Sequence, residues 1–292
     1  KNSNCKNMTK KDYAIQTTFW GVRGSIPTPG REFIKYGGNT PCVEVRCGNT
    51  ILLFDAGTGI RGFADSLRKE FGELPPDLHI LISHTHWDHI QGFPFFEYAY
   101  MKGVRINLYG GNSTSDFDKL ILDQMRREYF PVTLYELSSD LRFRTLEDNP
   151  FHIQDVEIYY THLIHPAMSL GFRVEYRGKV FVYATDNEIL CEPEMQGYNE
   201  RNIGYLIRNA DILVAECQYT ESEYRGKIGW GHSSIDQVIK ISNTYGVKNL
   251  FCFHHDPRRT DKEIDTMIRR GRKLAKSPLR VFGAKEKMTF CV

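Results

Sequence analysis

The feature that most constrains the fold of this chain is a cluster of metal-binding residue types directly after an apolar run. Leu78 to Ser83 is predicted to be a buried strand, and residues 84–89 follow it with the sequence His-Thr-His-Trp-Asp-His. Three imidazoles and one carboxylate within these six residues cannot be packed in a core unless their polar atoms find partners. The fold must therefore present this segment at the end of a strand, where a cation meets it.

Residues 84–89 offer ligands to two ions. At a turn from strand to helix, side chains two positions apart, such as those of His84 and His86, are able to aim at one ion. The next turn of backbone swings Asp88 and His89 toward a second ion. Imidazole nitrogen and carboxylate oxygen suit zinc, manganese or iron. A surface histidine cluster is the alternative interpretation, which this density of ligand types disfavours.

The sequence from His84 to His89 resembles the H-x-H-x-D-H signature of the metallo-β-lactamase superfamily and matches it without a gap. The resemblance implies an α/β fold, the αββα sandwich, in which two central mixed sheets are flanked by helices. Hydrophobic periodicity agrees, because strand-like runs alternate with helical periods in both halves of the chain. Strands are predicted over 17–20, 42–47, 51–54, 78–83, 156–160, 171–176, 179–183, 212–215 and 250–253, and helices over 60–71, 117–129, 234–245 and 263–275. Ser233 or Ser234 would cap the third helix.

The resemblance also implies the positions of the remaining ligands. His165, six residues before a Gly-Phe-Arg sequence, resembles the family's third ligand, with His162 in the preceding strand pattern as its competitor. Asp186 follows a predicted strand and resembles the carboxylate that bridges both ions. Aligning the last strand with the family's final strand-plus-His favours His254 as the last ligand, and His255 stays open as the alternative.

The predicted centre binds two divalent metal ions, zinc by preference and manganese or iron as alternatives. His84, His86 and His165 would hold one ion and Asp88, His89 and His254 the other, with Asp186 between them. A hydroxide shared by such ions has a lowered pKa and is held for in-line attack on phosphorus, so no nucleophilic Ser, Cys or Thr is needed. Asp55, in an Asp-x-Gly-x-Gly turn, is expected to order the ligands from behind.

A general acid is also expected, because the alkoxide of a diester leaves poorly unless it is protonated. His232 in a Gly-His-Ser-Ser sequence and Glu216 at a strand end resemble elements of the tRNase Z and cyclic-phosphodiesterase branch. In that branch the His sits beside the substrate phosphate and the Glu orients it. His232 and Glu216 are therefore predicted catalytic residues, together with the ligand Asp88. Helix capping or packing is the alternative role for His232.

The Glu-supported imidazole favours phosphoryl transfer over lactam or thioester hydrolysis. We expect a phosphodiesterase that converts a small or cyclic nucleotide diester to a monoester. True tRNase Z enzymes carry a long arm between the third His and the bridging Asp, whereas 20 residues separate His165 from Asp186 here. A nuclease that trims RNA or single-stranded DNA is the alternative hydrolase. A metal-holding sensor or an oxidoreductase is the alternative of another class, the latter disfavoured by His86 where that class has Glu.

Charge and cysteine usage set the expected partners and location. A formal net charge of +2 and a pI near 8.1 provide no large basic field for nucleic acid, so a small anionic substrate is favoured. The seven cysteines are scattered and form no C-x-x-C pair, which predicts reduced, buried thiols in a cytoplasmic protein. No run of 18 apolar residues occurs, so no membrane span is predicted. A homodimer is a candidate assembly, because dimers are common in the resembling branch.

The domain organisation is predicted to be simple. Residues 1–13 are polar, lysine-rich and without an apolar segment, which predicts a disordered or artificial leader. Residues 14–292 are predicted to form one hydrolase domain, because no linker divides them and the reactive residues come from both halves.

Three further patterns have two interpretations each. Gly57-Thr-Gly-Ile-Arg-Gly62 satisfies the dinucleotide fingerprint G-x-G-x-x-G, but it equally belongs to the Asp-x-Gly-x-Gly turn, which we favour. The aromatic residues between Phe93 and Tyr100 are more often core than a platform for a nucleobase. The arginines of 258–259 and 269–272 are expected to be solvated, with phosphate steering as the alternative.

Overall fold

Two seven-stranded sheets form the centre of the molecule. The computed structural model describes residues 13–111, 117–190 and 200–292, together with Cys5 and Gly197. The strands are β1 (Ile15–Gly21), β2 (Cys42–Cys47), β3 (Thr50–Phe54), β4 (Leu78–Leu81), β5 (Arg105–Tyr109), β6 (Asp140–Arg144), β7 (Phe151–Ile153), β8 (Val156–Leu163), β9 (Ser169–Tyr176), β10 (Lys179–Ala184), β11 (Ile212–Glu216), β12 (Asn249–Phe253), β13 (Arg280–Gly283) and β14 (Thr289–Cys291).

The two sheets share one plan. The first has the order β14-β1-β2-β3-β4-β5-β6 and the second the order β13-β12-β11-β10-β9-β8-β7. In each sheet one half is antiparallel and the other half, β3 to β6 or β10 to β13, is parallel. Parallel strands end at the same edge of a sheet, so the turns after β3, β4, β10, β11 and β12 are brought near one another.

Helices cover the outer faces of both sheets. The helices are α1 (Ile60–Phe71), α2 (Trp87–Ile90), α3 (Phe117–Asp123), α4 (Tyr205–Ile207), α5 (Glu221–Tyr224), α6 (Ile235–Thr244) and α7 (Asp261–Leu274). Single 3₁₀ turns lie at Arg31–Phe33, Phe93–Phe95, Glu97–Tyr100 and Leu134–Glu136, and a π-helical turn at Glu200–Gly204.

Three apolar layers hold the sheets and helices together. The central layer joins the inner faces of both sheets, where Phe54 contacts Phe172 and Phe181 at ring-centroid distances of 5.8 and 5.3 Å. A second layer packs α1 on the first sheet, and a third packs α6 and α7 on the second. Strand β3 is therefore buried on both faces, which is why every residue after Thr50 is apolar. The predicted αββα sandwich is confirmed.

Local sequence signals explain most helix ends. Helix α1 has the predicted bounds and ends at Gly72, in the left-handed region with φ 68°. Ser234, one of the two predicted caps, begins α6 in a reciprocal pair of bonds with Gln237. Helix α7 begins two residues earlier than predicted, because Thr260 and Glu263 form the same capping arrangement.

The predicted helix over 117–129 is wrong in its second half. Helix α3 ends at Asp123, and three-residue turns follow it, closed by bonds such as Met125 N–H to the Leu122 carbonyl at 2.9 Å. The Phe130 ring then packs edge-on against Phe95 at 5.2 Å. The chain after Asp123 therefore turns toward Phe95 and does not continue as the predicted helix.

The prediction that every cysteine is reduced is wrong. Cys5 and Cys291 form a disulfide that ties the N-terminal segment to β14. Cys42, Cys47, Cys217 and Cys252 are free and buried, as predicted, and Cys191 lies outside the described residues. The predicted cytoplasmic location therefore rests on these four thiols alone. The predicted leader lies outside the described residues except for Cys5 and Tyr13.

Membrane insertion was not expected from the hydropathy of the sequence. Among the residues that the structure describes, no helix combines the length and the apolar composition that crossing a bilayer requires.

Candidate metal centre

The seven predicted ligand side chains converge at the carboxyl ends of the parallel strands. They come from the turn after β4 with helix α2, the loop between β8 and β9, and the turns after β10 and β12. This edge of an α/β sheet is where such folds bind ligands. The residues that meet here are His84, His86, Asp88, His89, His165, Asp186 and His254.

One group of three imidazoles forms the first potential cation position. The ligand atoms of His84, His86 and His165 all lie within 4.8 Å of one another. His165 Nε2 is 3.2 Å from His86 Nδ1, a separation at which two ligand atoms share one ion. These three residues are the set predicted for one ion from the motif and the third-ligand loop.

A second group lies on the other side of the same cleft. Asp88, His89 and His254 also have ligand atoms within 4.8 Å of one another. The Asp88 carboxylate oxygen Oδ2 is 3.1 Å from His254 Nε2 and 3.3 Å from His89 Nε2. This is the set predicted for the second ion.

Asp186 lies between the two groups. Its Oδ2 is 3.3 Å from His89 Nε2, and its Oδ1 is 3.4 Å from His254 Nε2. The same Oδ1 is 3.9 Å from the Nε2 atoms of both His84 and His165. One carboxylate therefore faces ligands of both groups, as a bridging position requires.

The geometry distinguishes the alternatives that the sequence left open. His254 Nε2 points into the cluster, whereas His255 Nε2 faces away and is 2.9 Å from the Ala284 carbonyl oxygen. Burial, together with the nearby Arg23 guanidinium, lowers the pKa of His255 to about 3, so this imidazole is a neutral packing group. His162 is exposed on β8 and belongs to none of the clusters among the described residues.

Three site residues hold a strained backbone conformation near strand ends. Asp55, Asp186 and His254 have φ values of 60°, 54° and 53°. A non-glycine residue in such a conformation costs about 1–3 kcal/mol and is typical of functional sites. Each follows β3, β10 or β12 within two residues, so the strain is confined to the edge where the ligands meet.

Hydrogen bonds to the far nitrogens orient the imidazoles. The Nδ1 atoms of His89, His165 and His254 face Asp55 Oδ2 at 2.7 Å, the Gly231 carbonyl at 3.0 Å and Gln218 Oε1 at 2.9 Å, respectively. All three partners are acceptors, so each Nδ1 carries a proton and each Nε2 is the atom that would face a cation in the cleft.

Asp55 contacts the ligand His89 on the side of the ring away from the cleft, as expected. Its carboxylate accepts hydrogen bonds from the Ser83 backbone at 2.7 Å, the Ser83 hydroxyl at 2.9 Å and the Tyr183 hydroxyl at 2.7 Å, besides the bond from His89. A fully buried carboxylate with four donors is rigid, so it fixes the ring of His89.

The residues present fit a pair of divalent cations. The Nε2 atom of His84 is buried and has no hydrogen-bond partner among the described residues. A buried polar atom without a partner costs about 1–3 kcal/mol, which a coordinate bond would remove. The ion-pair partners that the described structure gives Asp88 and Asp186 are imidazoles rather than lysine or arginine. Positive charge at this point would compensate the buried carboxylates.

The protonation states of two imidazoles and of both carboxyls suit metal binding. At His89, in contrast, burial is outweighed by the carboxylates of Asp88, Asp186 and Asp55, which raise the pKa of this imidazole, so a cation would displace its proton. Burial lowers the pKa of His84 and of His165, because an imidazolium there would lose its hydration. Burial opposes ionisation of Asp88 and Asp186, but the surrounding imidazoles hold the pKa of both carboxyls well below the usual range. Neutral imidazoles and ionised carboxylates are the forms that coordinate cations.

The predicted catalytic pair lies beside this cluster. His232 Nδ1 donates to Glu216 Oε2 at 2.8 Å, and Glu216 Oε1 accepts from the Asn187 backbone. Burial alone would lower the pKa of His232, but the charge of Glu216 and this hydrogen bond raise the pKa to about 9. The His232 ring is 5.2 Å from the ring of His165 and 5.3 Å from that of His254. A proton-bearing imidazole therefore borders the ligands.

Sequence reasoning missed three residues that contact the ligands. Gln218 orients His254, the Ser25 backbone donates to Asp88 Oδ2 at 2.7 Å, and Gly231 orients His165. The position of Gln218, two residues after Glu216 at the end of β11, is one available sequence signal, since side chains two apart share a face. The contact of Ser25 is made by the backbone and leaves no signal in residue type, whereas at position 231 the glycine itself is a signal of a close backbone approach.

The structure also decides between the two interpretations of the glycine motif, the aromatic residues and the arginines. A Cβ at Gly57 would lie 2.3 Å from the Asp88 carbonyl oxygen, so this glycine permits the turn to pack against the metal-binding loop and does not approach a pyrophosphate. Phe93, Phe96 and Tyr98 are core residues, whereas Phe95 is exposed. The guanidinium of Arg270 pairs with Asp236, as on a solvated helix face, but the expectation is wrong for Arg259, whose side chain is 10% exposed and pairs with Glu223.

Known proteins share both the sequence and the fold. The family described as "Beta-lactamase superfamily domain" matches residues 50–255, a range that contains all seven clustered side chains. Ribonuclease Z of Pyrococcus abyssi is 24% identical over 295 residues, covering 85% of this chain and 89% of that protein. The metallo-β-lactamase fold protein YhfI from Bacillus subtilis has a TM-score of 0.68 at 16% identity, with 94% of this chain and 98% of that chain covered. Human tRNase Z, short form, has a TM-score of 0.65 at 18% identity over the same shares.

Proposed function

Since the chain belongs to the beta-lactamase superfamily, we propose that it is a dinuclear metal-dependent phosphodiesterase that hydrolyses a small or cyclic nucleotide diester to a monoester. The observation that carries the proposal is the His232 imidazole, supported by the buried Glu216 carboxylate and placed beside two groups of metal ligands. Hydrolysis of a lactam or a thioester does not call for this pair, whereas departure of an alkoxide from phosphorus does. We further propose that residues 14–292 act as one domain, because the ligands come from both sheets.

Each side chain of the site has a proposed task. His84, His86 and His165 hold one cation, Asp88, His89 and His254 hold the other, and Asp186 contacts both. Divalent cations in such a pair, with zinc as first choice, supply an acidified water and offset the negative charge that develops on the phosphoryl group. Asp55, Gln218 and Gly231 keep the imidazoles in the tautomer that binds metal.

His232 is proposed to protonate the leaving oxygen. Its Nδ1 is occupied by Glu216, so Nε2 is the atom that holds the transferable proton. Its side chain is 13% exposed, which lets a bound diester reach it while Glu216, at 1%, stays out of contact with solvent. Glu216 thus orients the imidazole and stabilises its charged form, as a carboxylate does in a catalytic triad.

Two observations favour a small substrate with a flat group. Residues 166–185 consist of a short loop and the β9–β10 hairpin with a turn at Arg177 and Gly178, so the long arm that the family resemblance implies for tRNase Z is absent from this described segment. Trp87, between the ligands His86 and Asp88, and Trp230, two residues before His232, are 80% and 60% exposed. Exposed indoles of this kind stack on nucleobases.

An RNA nuclease is the second candidate function. The observation that favours it is the similarity to curated relatives named Ribonuclease Z, which covers 85% of this chain. Binding to an RNA backbone would release counterions, so a nuclease would lose affinity steeply as salt increases. A small diester carries one charge at the scissile group, so its KM is expected to change little over the same range. The sensor and oxidoreductase alternatives are not retained, because the chain matches curated relatives named Ribonuclease Z over 85–86% of its length.

The experiment that tests the proposal is a substrate panel assayed with defined metal content. Protein stripped of metal and reloaded with Zn²⁺, Mn²⁺ or Fe²⁺ is tested on an aryl phosphodiester, cyclic nucleotides, a short RNA, a lactam and a thioester. We expect turnover of the diesters only, and the greatest kcat/KM on a nucleotide diester. Hydrolysis of RNA at higher kcat/KM than every small diester would replace the first candidate with the second, and turnover of the lactam or thioester alone would contradict both.

A further inference from the structure

Glu188 is a buried carboxylate that the proposed chemistry does not use. It stands two residues after Asp186 and is 1% exposed. Its partners among the described residues are neutral donors rather than lysine or arginine, although a buried carboxylate normally requires strong compensation. The hydrogen-bond donors that contact Glu188 therefore indicate its role.

Four hydrogen bonds from neutral donors satisfy this carboxylate. Oε1 accepts from the Tyr224 hydroxyl at 2.9 Å and the Gly229 backbone at 2.8 Å. Oε2 accepts from the Gly231 backbone at 2.8 Å and from Gly229 at 3.1 Å. All the donors belong to helix α5 or to the loop that follows it, so one side chain ties down residues 224–231.

The same loop fixes a proposed metal ligand. The Gly231 carbonyl accepts the Nδ1 proton of His165 at 3.0 Å, while the Gly231 N–H is held by Glu188. Gly231 has φ 81°, and a Cβ there would lie 2.3 Å from His165 Nδ1, so the loop approaches this imidazole more closely than any side chain would permit. The next residue is His232, the proposed acid.

The backbone of Glu188 also contacts the segment that precedes His165. Its N–H donates to the Ile164 carbonyl at 2.8 Å, and Ile164 precedes His165 directly. The neighbouring Asn187 accepts from the Ile164 N–H at 3.0 Å through its side chain and from the Ser233 hydroxyl at 2.6 Å through its carbonyl. The segment after Asp186 therefore contacts the chain on both sides of the cleft.

We propose that Glu188 is a positioning residue that anchors the 224–231 loop, so that Gly231 holds His165 with Nε2 toward the first cation position and His232 stays beside Glu216. The inference rests on the proposed function only for the role of His232. Its consequence for His165 concerns cation binding and holds whatever reaction the protein catalyses. A neutral amide at position 188 would present N–H groups to backbone N–H donors, so at least one glycine contact would be lost.

The test compares metal affinity in variants of the full chain. Wild type, Glu188→Gln and Tyr224→Phe are titrated with Zn²⁺ in competition with a chromogenic chelator, and the His165 Nδ1 and Nε2 resonances are recorded by ¹⁵N NMR. Loss of a partner of this kind lowers metal affinity by about 10–100-fold, and we expect about 10-fold for one of the two ions in Glu188→Gln. Tyr224→Phe removes one bond but keeps both glycine contacts, so it should bind both ions as wild type does.

Two results would overturn the proposal. One is wild-type affinity for both ions in Glu188→Gln with unchanged His165 resonances, and the other is an equal loss in Tyr224→Phe. If Glu188→Gln does not fold, Glu188→Asp replaces it, because the shorter side chain withdraws the carboxylate from the loop and retains its charge. If wild type binds two ions but hydrolyses no diester, the proposed function fails while this titration still decides the role of Glu188.

Discussion

Replacing His232 by alanine is the perturbation that most sharply tests the proposed division of labour. The ligands keep their own contacts in His232→Ala, so two ions should remain bound and water should still be activated. The leaving oxygen, however, loses its proton donor. We therefore expect slow turnover of diesters with alkoxide leaving groups and nearly normal turnover of diesters with acidic phenols.

The structure sets the size of this effect. Glu216 raises the pKa of His232 to about 9, so the imidazole is protonated at neutral pH and is a competent acid. General acid catalysis contributes about 10²–10⁴-fold, so kcat for an alkyl diester should fall by this factor, equivalent to about 2.7–5.4 kcal/mol. A p-nitrophenolate leaving group is stable without a proton, and its release should slow by less than about 10-fold.

The assay is a series of aryl and alkyl diesters of one nucleoside monophosphate. The logarithm of kcat is plotted against the pKa of the leaving group, and His232→Ala should give the steeper slope. His162→Ala, which changes an exposed imidazole on β8, is the matched control and should follow the wild-type line. Equal slowing of good and poor leaving groups, with two ions still bound, would refute the acid role of His232.

Further predictions concern pH, metal affinity, salt and the core. The charge of Glu216 raises the pKa of His232, so in a pH–rate profile on alkyl diesters Glu216→Gln should lose activity at a lower pH than wild type does. Asp55→Asn should weaken metal binding in a chelator titration by about 10–100-fold, because the acceptor of the His89 proton is replaced. Raising NaCl from 50 to 200 mM should change KM for a small diester by less than about twofold, whereas the affinity of a nuclease for RNA would fall by about 10³-fold or more. Phe251→Ala, at the centre of the inter-sheet layer, should lower the free energy of unfolding in a urea titration by about 3–5 kcal/mol.

Elements with strong local patterns could be predicted from sequence. The apolar period over Ile60–Phe71 gave both ends of α1, and the β4 run with its following histidines located the first four ligands. His165, Asp186 and His254 were predicted from resemblance rather than from spacing. Their meeting point depends on two sheets packing face to face, which no local pattern encodes.

Other parts depend on partners that are distant in sequence. β5 and β6 are neighbouring five-residue strands at one end of the first sheet, and their alternation of polar with apolar residues is a strand signal that sequence reasoning missed because both runs are short. The Cys5–Cys291 disulfide joins residues 286 positions apart and follows no spacing pattern. Glu188 orders the site through backbone N–H groups, which every non-proline residue has.

The central claim is that the seven clustered side chains hold two cations, and anomalous diffraction from zinc-loaded crystals tests it most directly. Data collected on both sides of the zinc absorption edge should give two peaks per chain. One should lie among His84, His86 and His165, the other among Asp88, His89 and His254, with Asp186 contacting both. A single peak, or peaks away from these residues, would contradict the account.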